Sequence, residues 1–235
     1  MMNRVLVILF SCTLLCCSEE KLNNEDGTGT QVHDQSNSGY NSDNLKTKVK
    51  PTALYPQDYV AWIRDSENGL KRVKKIGDFT FTLLYKPKEY MACMEYQPHE
   101  LDEHNLKSAT ESYSELEHFE LRIEIDKSHG EVLKYGVNNR EEYQDRITYY
   151  AFKANQDAKL ILKNNEHQKE LDCVVHHWER TYDAGPVNII QFAFKKDDSS
   201  EQDKVFVFDD KIFNTGRLKF KLRKEDLMNL PEIKV

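Results

Sequence analysis

The stretch CVVHHWER, Cys173–Arg180, places a thiol, two imidazoles and a carboxylate within eight residues. Thiolates and imidazoles bind zinc, and imidazole is the commonest general base. The surrounding apolar and aromatic residues predict a β-strand, in which neighbouring side chains point to opposite faces. His176 and His177 therefore cannot share a ligand, while Cys173 and His177 would share a face about 13 Å apart. A site here needs partners from elsewhere, and the alternative is packed or surface histidines.

A second histidine-rich stretch, HELDEH, spans His99–His104. The zinc-protease motif requires two histidines four residues apart on a helix, whereas these are five apart. Glu100 and His104 have the spacing to share one helical face. The pattern favours a pair of exposed polar residues over a metal site, and we expect no cofactor.

Cys93 and Cys173 are the cysteines that lie beyond the first 17 residues. Outside the cytoplasm they could form a disulfide closing a loop of about 80 residues, worth ~4 kcal/mol in the chain-entropy model. The alternative is two buried thiols that behave as small apolar side chains.

The segment RLKFKLRK, Arg217–Lys224, alternates cations with apolar residues. Its cations would share one face of a strand and could bind an anionic ligand such as a polysaccharide or a phosphate group. The alternative is a solvated face whose charges discourage edge-to-edge strand pairing. The candidate anion-binding residues are Arg217, Lys219, Lys221 and Arg223.

Tyrosines cluster early in the chain and carboxylates occur throughout. Exposed rings would suit sugar or protein recognition, although many of these tyrosines fall on apolar stripes, which favours core packing. Some carboxylate pair could act as acid and base, but the sequence does not select one. There is no Gly-x-Ser-x-Gly motif and no lysine-containing phosphate loop. The early tyrosines are Tyr55, Tyr59, Tyr85, Tyr90 and Tyr96.

The chain begins with one basic residue and an apolar run. After Arg4 come eleven uncharged residues, Val5–Leu15. As a helix they would span roughly 16 Å, about half of the ~30 Å hydrocarbon core of a bilayer. This length is too short for a membrane anchor and is typical of a secretory signal peptide. We expect residues 1–16 to be removed.

The residues that follow carry a resemblance. The sequence Leu14-Leu15-Cys16-Cys17 resembles the lipobox of bacterial lipoproteins, with a leucine three residues before the cysteine and a small residue just before it. Cys16 departs from the usual Gly, Ala or Ser. The resemblance implies cleavage before Cys17, a diacylglycerol on its sulfur and an acyl chain on the new amino group. Each buried methylene adds ~0.8 kcal/mol, so several chains would anchor the protein to a bilayer.

The residues after the lipobox bear on localisation. Ser18, where an aspartate favours the inner membrane in enterobacterial lipoproteins, suggests the outer membrane by resemblance. Glu19, Glu20 and Lys21 resemble the acidic tags that send some Gram-negative lipoproteins to the cell surface, and the alternative is the start of a solvated linker. We therefore expect the protein to be anchored to the outer membrane of the cell envelope, on either its periplasmic face or its surface face.

Residues 17–50 are predicted to be the lipidated cysteine and a flexible tether. Polar and small residues dominate them, so the segment cannot bury enough surface to offset the entropy of ordering it. The whole chain carries a net charge of −7, and removing residues 1–16, whose one cation is Arg4, makes it −8. This charge argues against nucleic acid as a partner and gives no support for binding an anionic lipid surface.

Residues 51–235 are predicted to form a single globular domain of the α+β class. Several helices are expected in the N-terminal half, in Tyr55–Leu70 and in two stretches between residues 88 and 118, and a further helix is expected in residues 140–154. Short connections between later strands predict an antiparallel sheet, with a β-rich C-terminal half for which a sandwich is one candidate. The predicted strands are Phe79–Tyr85, Phe119–Asp126, Ala158–Leu162, Cys173–Tyr182, Val187–Phe194, Val205–Phe208 and Leu218–Leu222.

These patterns favour a membrane-anchored envelope lipoprotein with a non-catalytic binding or structural role toward a protein or glycan partner. The alternative is a hydrolase that acts on cell-wall or extracellular polymer through carboxylates that the sequence does not identify.

Overall fold

The structure is a computed structural model that describes residues 51–97, 99–126, 128, 130–164, 167–180, 185–197 and 202–235. The expected signal peptide, the lipidated Cys17 and the tether lie outside the described residues. Residues Lys48–Val235 form one compact unit.

A large antiparallel sheet of eight strands forms the centre of the domain. Its order is β2-β3-β4-β7-β6-β5-β8-β9, and two further short strands, β1 and β10, pair in parallel beside it. The strands are β1 (Ala53–Leu54), β2 (Lys71–Ile76), β3 (Phe79–Lys86), β4 (Leu116–Glu124), β5 (Ala158–Lys163), β6 (Gln168–Glu179), β7 (Val187–Lys195), β8 (Asp203–Asp210), β9 (Gly216–Leu222) and β10 (Glu232–Ile233).

In the part of the chain that the structure describes, five α-helices accompany the sheet: α1 (Pro56–Arg64), α2 (Lys88–Glu95), α3 (Glu103–Ser112), α4 (Arg140–Phe152) and α5 (Lys224–Met228). The mixed α+β class is confirmed. The helices are not confined to the N-terminal half, where the sequence places several of them, because α5 follows the last strand of the large sheet. None of the helices in the described part of the chain has the length and apolarity needed to span a bilayer.

Local sequence explains where the helices begin. Pro56 occupies the first turn of α1, where its missing N–H costs nothing. The side chain of Asp102 accepts a hydrogen bond from the backbone N–H of Asn105 and caps α3. Asn139 caps α4 in the same way through the N–H of Glu142.

The sheet bends back on itself at β6. The first half of β6 pairs with β5 and its second half pairs with β7, with a register shift between Cys173 and Val175. Such a bulge bends the strand. As a consequence, the ring centroids of Phe206 on β8 and Phe119 on β4 are 5.5 Å apart. The sandwich candidate was wrong in this respect: β6 runs through both halves, so they form one sheet that is nearly barrel-shaped.

The two edge strands, β2 and β9, meet at a seam. The Nε of Arg72 donates a hydrogen bond of 2.9 Å to the backbone oxygen of Lys221. Lys74 places its ammonium 5.6 Å from the centre of the Phe220 ring. No backbone pairing joins β2 to β9 among the described residues, so side chains bridge the seam.

Helices α1 and α2 cover the outer face of β3. Leu84 points outward from β3 and packs in a buried cluster with Tyr59, Ile63, Leu70 and Tyr90. The inner face of the sheet encloses a larger, phenylalanine-rich core, to which α4 contributes Tyr150. The domain therefore has two apolar layers, one on each side of β3.

Candidate functional site

Four polar side chains meet on the outer face of the sheet, and we call them the polar cluster: Lys86 on β3, Glu120 on β4, Gln191 on β7 and Glu179 on β6. Glu120 and Gln191 are direct cross-strand partners, which places their outward side chains together. The ammonium of Lys86 lies 2.7 Å from Glu120 and donates to the Oε1 of Gln191 at 2.8 Å. The strand order thus assembles a site from four separate strands.

Gln191 links the two carboxylates of the polar cluster. Its Nε2 donates to Glu120 at 3.0 Å and to Glu179 at 2.6 Å. Because both oxygens accept from the same nitrogen, they lie no farther apart than the sum of the two hydrogen-bond lengths. Retaining glycosidases hold their two carboxyl groups roughly 5–5.5 Å apart, so the pair is close enough for that chemistry.

Glu120 is held in its ionised form. Burial alone would raise its pKa, but the charge of Lys86 and the hydrogen bonds from Lys86 and Gln191 lower the pKa of Glu120 below its ordinary value. The side chains of Lys86 and Glu120 are only 11% and 15% exposed. The cluster is therefore a fixed and partly buried array of charges and dipoles.

The histidine-rich strand contributes to this face through one residue. His177 is exposed and pairs with Gln191 of β7, next to the polar cluster. His176 lies on the inner side, where its Nε2 is 3.2 Å from the backbone oxygen of Tyr150 and its ring stacks on Phe192. The prediction that the two histidines face opposite ways is confirmed, and His176 is a packed histidine.

The prediction that Cys173 and His177 share a face was wrong. The bulge inserts one residue, so Val174 and Val175 are both exposed, at 53% and 54%. After the bulge the alternation is reversed, and His176, not His177, follows Cys173 on the inner side. A bulge of this kind has no signature in the apolar pattern of this segment.

His118 is a site residue that the sequence patterns do not single out. It points outward from β4, and its ring lies edge-on to Tyr113 with centroids 5.6 Å apart. Burial, and next the charge of Lys86, lower its pKa to about 4, against a smaller opposing effect of Glu117. Its Nε2 is buried without a hydrogen-bond partner among the described residues. His118 is therefore neutral at physiological pH.

The HELDEH stretch does not form a helical pair. Glu100 lies before α3, while His104 lies in its first turn. The expectation that Glu100 and His104 share a helical face was therefore wrong, because the helix starts only after Asp102. Within the described ranges, no group of three histidine, cysteine or acidic side chains is placed to hold a metal ion.

The candidate disulfide is not formed, and Cys93 and Cys173 are both free thiols. Cys93 packs against the outer cluster under α1 and α2, whereas Cys173 belongs to the inner core. The two thiols thus lie in different apolar layers of the domain. Burial raises the pKa of each to about 11.

Three of the four candidate anion-binding cations, Arg217, Lys219 and Lys221, share the exposed face of β9, and Arg223 follows the strand as the N-cap of α5. Three of the four are paired with carboxylates: Arg217 with Asp209 at 3.7 Å, Lys221 with Asp203 at 2.6 Å, and Arg223 with Asp226 at 3.0 Å. Lys219 has no ion-pair partner in the described part of the chain. The face is therefore partly neutralised by its own neighbours.

The inner core contains an ion pair that the sequence patterns do not reveal. Lys204 on β8 lies 2.5 Å from Glu117 on β4, and Tyr85 donates to the same carboxylate at 2.8 Å. Phenylalanine rings fill the space beside them. This end of the barrel interior is thus closed by side chains that satisfy one another.

Most of the early tyrosines pack against other side chains of the domain. Tyr59 and Tyr90 are buried, and Tyr85 lies against the ring of Phe119 with centroids 5.2 Å apart. Tyr55, at 65% exposed, is the large apolar residue most open to solvent among the five. Core packing therefore explains their abundance better than sugar recognition does.

A groove of about 710 Å³ lies between α3 and the C-terminal residues. Leu106, Leu230 and Ile233 supply apolar lining, and Glu103 and Lys107 add charge at its side. Such an open, mixed groove is a surface that a protein segment could contact.

Comparisons of the chain with protein-family models, with curated proteins and with solved structures found no match.

Proposed function

We propose that this chain is a lipid-anchored protein of the bacterial envelope, at the outer membrane, whose domain binds a protein or glycan partner without transforming it. The anchor is Cys17, on the strength of the lipobox-like Leu14-Leu15-Cys16-Cys17. The binding role is supported by the outer face of the sheet.

The observation that carries the binding role is the closed polar cluster. Glu120, Lys86, Gln191 and Glu179 hold one another in fixed positions on rigid strands. Each carboxylate can accept further hydrogen bonds, so oriented acceptors remain for a partner. Preorganised carboxylate and amide groups hydrogen-bond well to hydroxyl-rich or polar surfaces, because little ordering entropy is lost on binding.

A second function, polymer hydrolysis, is favoured by the closeness of Glu120 and Glu179. A glycosidase needs one carboxylic acid that stays protonated near neutral pH, which requires a raised pKa. The pKa of Glu120 is instead lowered by Lys86 and Gln191, so Glu120 could act as the nucleophile but not as the acid.

Affinity capture with matched variants tests the proposal. The full-length tagged protein would be purified from a Gram-negative host with its bound envelope components, beside Glu179→Gln and a control, Glu170→Gln, on the same strand but paired toward β5. We expect Glu179→Gln to reduce recovery of a reproducible protein or glycan component while Glu170→Gln retains it. Equal recovery in all three would overturn the role of the polar cluster.

A polymer-cleavage assay distinguishes the second function from the first. Cell-wall and extracellular polymers would be incubated with the wild-type chain and with Glu120→Gln. We expect no difference in released fragments. Cleavage that disappears in Glu120→Gln would replace the binding proposal with hydrolysis.

A further inference from the structure

We propose that the seam between β2 and β9 binds an acidic polysaccharide. This inference rests on the proposed function and names the chemical class of one ligand. The binding surface, called the seam strip, consists of the outward cations beside the seam: Lys71 and Lys75 on β2, Arg217, Lys219 and Lys221 on β9, and Arg223 just after β9. Arg72 and Lys74 pair with the inner-core residues Leu83 and Phe81, so their side chains point to the inner face and bridge the seam.

The strip is continuous because the two strands lie side by side. The 2.9 Å hydrogen bond from Arg72 to the backbone oxygen of Lys221 fixes their approach at one end. The contact of Lys74 with the Phe220 ring, at 5.6 Å, fixes it further along. Cations that are more than 140 residues apart in sequence are therefore neighbours on one surface.

The strip is cationic even though the chain as a whole is acidic. Of its six cations, Lys221, Arg217 and Arg223 pair with the carboxylates of Asp203, Asp209 and Asp226. Lys71, Lys75 and Lys219 have no ion-pair partner among the described residues. A chain with net charge −7 thus places three cations without an ion pair along one seam, although Asp78, Glu124 and Asp126 line the same depression as Lys75.

The shape of the strip suits an extended polymer. Outward side chains recur at roughly 6.6–6.8 Å along a strand, so Arg217, Lys219 and Lys221 form a regularly spaced row on β9, with Lys71 and Lys75 beside it on β2. A polysaccharide with a carboxylate or sulfate on each repeat could contact several of them at once. The interspersed carboxylates and the acidic remainder of the domain disfavour the denser phosphate charge of nucleic acid.

Binding of polygalacturonate by the full-length protein tests the proposal, with uncharged dextran as the reference polymer. The test variant, Lys75→Glu/Lys219→Glu, reverses one unpaired charge on each side of the seam. The matched control, Lys107→Glu/Lys153→Glu, makes the same charge change at exposed lysines on α3 and just after α4.

We expect wild type and control to bind polygalacturonate but not dextran, with affinity that falls as salt increases, and we expect the test variant to bind at least about tenfold more weakly. Equal loss in both variants, or no binding by wild type, would overturn the inference. Tighter binding of single-stranded DNA than of polygalacturonate would overturn the choice of ligand class. Retained capture of an envelope component through the polar cluster, without polygalacturonate binding, would refute the seam alone and leave the proposed function standing.

Discussion

The ammonium of Lys204 lies 2.5 Å from the Oε1 of Glu117, joining β8 to β4 across the interior of the barrel. Both side chains are nearly inaccessible, at 7% and 6% exposed. The pair links the two halves of the bent sheet at the point where apolar packing gives way to polar groups.

Removing one member of this pair should be costly. Lys204→Met leaves the Glu117 carboxylate buried without its cation, and we expect a loss of about 3–5 kcal/mol in the free energy of unfolding. Replacing both residues, as in Glu117→Met/Lys204→Met, should recover much of that loss because no unpaired charge remains. Urea unfolding followed by circular dichroism measures both. A Lys204→Met protein as stable as wild type would mean that the ion pair is not formed.

Gly69 and Gly77 offer a matched pair of glycine substitutions. Gly69 has φ +84° and a Cβ there would lie 2.3 Å from the Cγ of Asp226, whose carboxylate is held by Arg72 and Arg223. Gly77 has φ +57° but nothing within 4 Å of its Cβ position. We expect Gly77→Ala to cost about 1–2 kcal/mol and Gly69→Ala about 3 kcal/mol or more, from backbone strain plus the clash. Equal costs in thermal or urea unfolding would contradict this close approach.

His118 should make stability depend on pH. Its pKa is lowered to about 4 in the folded protein, whereas the unfolded chain binds a proton near 6.5. The stability present above pH 6.5 should therefore fall as the pH drops from 6.5 to 4, by up to about 3 kcal/mol relative to a His118→Gln variant. Unfolding free energies of both proteins between pH 7 and pH 4 check this. Parallel curves would show that His118 is solvated.

The half-buried thiol of Cys93 and the buried thiol of Cys173 should be slow to react. With the pKa of Cys93 and of Cys173 raised to about 11 by burial, little thiolate is present at neutral pH. In a chain that begins at Ser18, we expect two thiols to be alkylated in denaturant without reductant and almost none under native conditions. A mass two hydrogens lower, with no alkylation in denaturant, would indicate the disulfide instead.

The sequence predicts well those strands whose apolar residues alternate. On β4, Phe119, Leu121 and Ile123 are buried between half-buried polar residues, as the pattern FELRIEID indicates. The sequence does not predict the edge strand β2, because four of its six residues are cationic and no alternation of apolar and polar residues is visible. It forms through its pairing with β3, while its charges remain at the seam.

The candidate site depends on strand order, which local patterns do not contain. Local sequence patterns can place Glu120 and Glu179 at outward or charged positions of their own strands. They cannot show that β7 lies between β4 and β6. Lys204 illustrates the same limit on the inner face. On β8 it points to the same face as Phe206 and Phe208, yet its partner Glu117 is 87 residues away in the sequence.

The most direct measurement of the central claim is the intact mass of the mature polypeptide isolated from the membranes of a Gram-negative host. The proposed envelope anchor predicts a chain that begins at Cys17 and carries the added mass of a diacylglycerol and an amide-linked acyl chain on that residue. A chain that retains residues 1–16, or one whose Cys17 carries no fatty acid, would contradict the account.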